Sequence, residues 1–64
     1  MRYSIKIYIQ KNDRDEYITT VHTAHCKDRL DAINEALNYA KRAQWLRLSD
    51  VEKTKLIVKD IKTI

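Results

Sequence analysis

The chain has 64 residues with 13 Lys plus Arg against 9 Asp plus Glu, a formal charge of +4, and it contains neither Gly nor Pro. A single domain over residues 1–64 of this size buries only about 60% of its unfolded surface, which leaves little apolar mass for a reactive pocket beside a core. Composition therefore argues against an enzyme and for binding or self-association, with a homodimer as a natural way to enlarge the core.

The absence of Gly rules out a Gly-rich phosphate loop and leaves turns to Asn, Asp and Ser. One cysteine, Cys26, excludes an internal disulfide and fits a reducing compartment. No run approaches the ~20 apolar residues of a membrane span. The first residues, Met1 to Lys6, alternate in polarity and lack the apolar core of a signal peptide. A cytoplasmic protein without membrane contact is expected. The mild basic excess suits an acidic partner as well as an ordinary soluble surface. Ile and Lys, with eight residues each, hint at an AT-rich genome such as those of many phages and low-GC bacteria.

Tyr3, Ile5, Ile7 and Ile9 alternate with Arg2, Ser4, Lys6, Tyr8 and Gln10. This period of two predicts a strand with its odd positions turned to a core. Lys11 to Asp15 is polar and reads as a hairpin loop. Glu16 to His22 or Thr23 is rich in β-branched and aromatic residues and predicts a second strand. Its register is open: Tyr17, Thr19 and Val21 share one face, Ile18, Thr20 and His22 the other, and neither set is purely apolar.

Asp28 to Leu48 carries the one long helical pattern. Leu30, Ile33, Leu37 and Ala40 recur at helical spacing, with Ala36 and Ala43 on the flanks. Asp28 is the expected N-cap. Acidic residues at the start, with Lys41, Arg42 and Arg47 near the end, suit the macrodipole. The helix is expected to reach Leu46 to Leu48, where Trp45, Leu46 and Leu48 are too close in sequence to share one stripe. Ser49-Asp50-Val51-Glu52 matches a capping box and can open a single helical turn. Lys55 to Lys62 then predicts a third strand, with Lys53, Lys55, Lys59 and Lys62 spaced along it.

The order strand, strand, helix, strand implies an α+β two-layer sandwich, β-β-α-β. A right-handed return through the helix places the third strand beside the first. The result is a three-stranded antiparallel sheet of order 2-1-3 with the helix on one face.

Three candidate sites follow. His22, His25 and Cys26 are the only potential metal cluster, but they lie within five residues with no second group to complete a tetrahedral set. The bland reading is an edge histidine, a loop histidine and a buried thiol, so neither metal nor cofactor is expected. Arg2, Lys6 and Tyr8 project together from the outer face of the central strand, a pattern able to bind phosphates and stack bases. It is also the pattern of an ordinary solvated face. Trp45 with Arg42 and Arg47 has the chemistry of a protein-interface hot spot, though Trp45 could instead close the end of the core. Leu56, Ile57 and Val58 belong to an edge strand that could accept a partner's strand.

The opening Met-basic-Tyr strand resembles the N-terminal domain of HicB-type antitoxins, as do Asp28-Arg29-Leu30-Asp31-Ala32 and Ala36-Leu37-Asn38-Tyr39-Ala40. The likeness covers roughly residues 1–43. In length and style the chain is also similar to small phage-encoded proteins that block a host enzyme or defence complex. Both resemblances imply a non-catalytic protein-binding inhibitor, anti-defence or antitoxin-like, acting in the host cytoplasm on a protein partner. Nucleic-acid binding through the sheet is the alternative.

Overall fold

The computed structural model describes residues 1–64. Strand β1 spans Tyr3–Gln10, β2 Asp15–His22 and β3 Leu56–Thr63. Helix α1 spans Arg29–Arg42 and the one-turn helix α2 Asp50–Lys53. The sheet order is β2-β1-β3, with both pairings antiparallel. The α+β architecture and strand order follow the sequence expectation. The molecule is a slab 33 × 24 × 16 Å. No helix is long and apolar enough to cross a membrane.

Alternation in β1 is strict: Tyr3, Ile5, Ile7 and Ile9 are buried, while Ser4, Lys6 and Tyr8 between them are half-exposed. The hairpin closes with the Lys11 N–H donating to the Arg14 carbonyl at 3.1 Å. A bulge resolves the register of β2. Ile5 faces Val21 and Ile7 faces Thr19, but Tyr8 faces Tyr17, so Ile18 is the extra residue. The bulge lets Val21 and Ile18 both pack on the core and moves Tyr17 to the outer face beside Tyr8. Tyr17 and Val21 therefore do not share a face, as an unbroken strand would require.

A second bulge lies in β3, where Ser4 pairs with Lys62 but Lys6 with Lys59. Asp60 takes φ 53° there. Aspartate is among the few residues that enter this left-handed region readily. Leu56, Val58 and Ile61 thereby all reach the core side. Of the four lysines expected on this strand, only Lys59 and Lys62 lie on β3. Lys53 ends α2, and Lys55 precedes the strand.

Asp28 caps α1 as expected, its side chain accepting from the Asp31 N–H at 2.8 Å. The buried stripe is not the one built from the largest side chains. Ala32, Ala36 and Ala40 are fully buried, Ile33 and Leu37 flank them half-buried, and Leu30 is 67% exposed. Small residues at i, i+4 and i+8 let the helix axis approach the isoleucines of β1 closely, whereas Leu30 in the first turn stays outside the core cluster.

The helix also ends earlier than expected. Ala43 leaves helical geometry at φ −72°, ψ 103°, and its N–H closes on the Tyr39 carbonyl. A separate 3₁₀ turn follows over Gln44–Leu46. Breaking the helix there lets Leu46 pack on the core, which a continued helix would not allow for three bulky neighbours. Arg47 at φ 53° then reverses the chain into α2. The capping box is present: the Ser49 hydroxyl accepts from the Glu52 N–H, and Glu52 Oε1 accepts from the Ser49 N–H.

Candidate functional site

The end of α1 carries an exposed aromatic pair. Trp45 is 62% exposed and Tyr39 43%. The indole Nε1–H donates to the Tyr39 hydroxyl at 3.2 Å, which fixes the two rings relative to each other. Since Leu46 closes the core here, Trp45 stands outside it. Arg42 Nε–H donates to the Asn38 carbonyl at 3.4 Å, which ties the base of its guanidinium to the helix end. Arg42 and Arg47 both line an open depression of about 200 Å³, together with Lys41, Ala43, Gln44, Leu48 and Lys53. The structure thus brings Arg42 and Arg47 to one depression, while the Trp45 indole is turned to Tyr39. Lys41 and Lys53 complete the group. Sequence spacing gave no signal for Lys53, because its return to the helix end depends on the left-handed turn at Arg47.

The outer face of the sheet is a second surface. Lys6 and Tyr8 project there from β1, and Arg2 is exposed at the strand's start. Tyr8 and Tyr17 meet edge to face, with ring centroids 5.6 Å apart. Lys59 sits 5.1 Å from the Tyr8 centroid. The cations of this face are largely engaged. Lys59 pairs with Asp15 at 2.6 Å and Lys6 with Asp60 at 3.9 Å. The Asp15 carboxylate holds the Lys59 ammonium above the usual lysine range, mainly through their hydrogen bond. Strand β3 is an edge of the sheet, as expected. Its Leu56 and Val58 side chains turn to the core, and Ile57, opposite Tyr8, turns outward.

His22, His25 and Cys26 are held apart by their partners. His22 pairs with Ser4 across the sheet and is exposed. The His25 ring lies 2.9 Å from the Met1 amine. Cys26 is buried, its Sγ 3.0 Å from Glu35 Oε2 and 3.3 Å from the Ala24 carbonyl. The hydrogen bond to Glu35, followed by burial, pushes the thiol pKa up. A protonated thiol bound to a carboxylate is a poor nucleophile and a poor metal ligand. Glu35 Oε1 also accepts from the Ala24 N–H at 3.3 Å. The pair therefore fastens the connector before α1 onto the helix.

Comparison with family models, curated proteins and solved structures finds no match to this chain.

Proposed function

We propose that this chain is a small non-catalytic protein-binding module that docks the end of α1 on an acidic surface of a partner protein and occludes it. The observation that carries the reading is Trp45, exposed at 62% and oriented by its hydrogen bond to Tyr39. An exposed tryptophan held in one orientation and close in sequence to two arginines has the composition and preorganisation of a binding hot spot. We extend the proposal to an inhibitor of phage or mobile-element type, anti-defence or antitoxin-like, acting in the cytoplasm as a homodimer. The free edges of β2 and β3 support self-association by strand pairing.

Quantitative capture from a lysate of the native host, followed by affinity measurement on the captured protein, tests it. Truncating a tryptophan hot spot costs at least about 2 kcal/mol, so Trp45→Ala is expected to weaken binding roughly 30-fold or more. Equal affinity of both forms removes Trp45 from the interface. Sedimentation of the purified chain reads the homodimer separately.

The Tyr8–Tyr17 pair supports the second reading, in which the outer sheet face stacks single-stranded nucleic acid and Lys6 and Lys59 exchange Asp60 and Asp15 for phosphates. Mobility-shift titrations at low and high salt decide it. Phosphate contacts require affinity that falls steeply with salt, and no shift at low salt ends the reading.

A further inference from the structure

The depression at the end of α1 has an unusual charge balance. Lys41, Arg42, Arg47 and Lys53 line it, and no acidic residue does. The three ion pairs of the protein, Lys6–Asp60, Lys11–Glu16 and Lys59–Asp15, all lie elsewhere. Glu52, next to Lys53, is turned away to the Ser49 N–H at 2.9 Å, and this bond holds its carboxyl below the usual carboxylate range. It is therefore an anion already committed to the backbone of α2.

The carbonyls at the end of α1 account for two of the cations, because Lys41 and Arg42 occupy its last turn. They do not account for Arg47 and Lys53, which come from the next two elements. These two are brought in by the turn at Arg47, a non-Gly residue at φ 53°, ψ 39°. That conformation costs on the order of 1 kcal/mol or more for a residue with a Cβ. The same turn leads the chain through α2 back to β3 in the sheet, and it leaves four cations around one depression with no acidic residue among its lining.

We propose that this depression binds a phosphate group. Its volume of about 200 Å³ corresponds to roughly six or seven waters of liquid, enough for one phosphate and part of its hydration shell. Two guanidinium forks and two ammonium groups offer more donors than the two oxygens and single charge of a carboxylate can use. A phosphate monoester carries about −1.5 to −2 charges and three acceptor oxygens, which matches the set. The group is a free phosphate ion or the ester of a small molecule. The site shares Arg42 and Arg47 with the proposed docking surface but needs neither Trp45 nor a protein partner, so either proposal can fail while the other stands.

Trp45 is the only tryptophan and follows lining residue Gln44 in the chain, so binding is read by its fluorescence and independently by titration calorimetry. Inorganic phosphate, O-phosphoserine and acetate are titrated separately at constant ionic strength. Saturable change with either phosphate compound is expected, with an apparent affinity at least tenfold tighter than for acetate. A tighter response to O-phosphoserine assigns the site to an ester, and a tighter response to inorganic phosphate to the free ion. Arg42→Gln with Arg47→Gln is expected to abolish saturation. Arg14→Gln with Lys27→Gln, which removes the same charge from two exposed positions outside the depression, should leave the titration unchanged. Circular dichroism checks that each double variant is folded. A linear response, a match between phosphate and acetate, or equal loss in both double variants overturns the proposal.

Discussion

Cys26 and Glu35 show what a single side-chain pair does in so small a protein. The thiol is buried and donates toward a carboxylate that also holds the backbone of the connector. Its raised pKa, due first to the Glu35 hydrogen bond and then to burial, means that the folded state prefers the neutral thiol. The resulting stabilisation is complete below the ordinary thiol pKa of about 8.5 and is lost as pH rises through the higher folded value. Alkylation by iodoacetamide at pH 8.5 should be slow in the folded chain. Glu35→Ala removes the main cause of the shift and should speed it severalfold, measured by mass spectrometry under conditions where the chain remains folded. An unchanged rate would show that burial alone protects the thiol. The sequence marked Cys26 as a small buried thiol on residue type alone. It gave no sign of Glu35, because the contact depends on how the connector folds back on α1.

At the scale of elements, strict periodicity was legible and broken periodicity was not. Strand β1 shows its buried face in every odd residue, and the Asp28 cap and Ser49–Glu52 box were readable from short local patterns. The two bulges were not, because each is a compromise between apolar residues at odd spacing and the pairing partner across the sheet. Helix α1 misleads in a different way. Leucine dominates any hydrophobic pattern, yet close packing against a sheet selects the smallest side chains, so Ala32, Ala36 and Ala40 hold the interface. Ala36→Leu is accordingly expected to destabilise by about 1–3 kcal/mol through overpacking, although leucine is nearly as good a helix former as alanine. Leu30→Ala, at a position 67% exposed, should stay within about 0.5 kcal/mol. Urea denaturation of the two variants ranks the stripes directly. The reverse order would restore Leu30 to the core.

The whole molecule is a one-sided slab. Its inner sheet face and α1 hold the core cluster, while Tyr8, Tyr17, Lys6 and Lys59 cover the outer face without a second layer. Both candidate surfaces follow from this division. The helix end lies beyond the edge of the core, and the outer face has nothing above it. Legibility followed the same division. The sequence placed the core strand, the two layers and Lys41, Arg42 and Arg47 near the helix end, but Lys53 joins them only through the chain reversal at Arg47, which has no local signature in a chain without Gly. Stability should be equally one-sided. A core of this size rarely supplies more than about 3–5 kcal/mol of net stability. Ile7 is fully buried at the centre of β1, and Ile→Ala in a core costs about 2–5 kcal/mol. The Ile7→Ala chain should therefore be largely unfolded at 37 °C. Tyr8, one residue further on, touches only Tyr17 and Lys59 among aromatic and charged neighbours, and such pairs contribute about 0.5–1.5 kcal/mol beyond the area they bury. Tyr8→Ala should keep the fold with a lowered midpoint. Far-ultraviolet circular dichroism melts of both variants read the contrast. If Tyr8→Ala unfolds the chain as completely as Ile7→Ala, the outer face is itself covered, by a second copy or a partner, and a bare sheet is the wrong description of the working molecule.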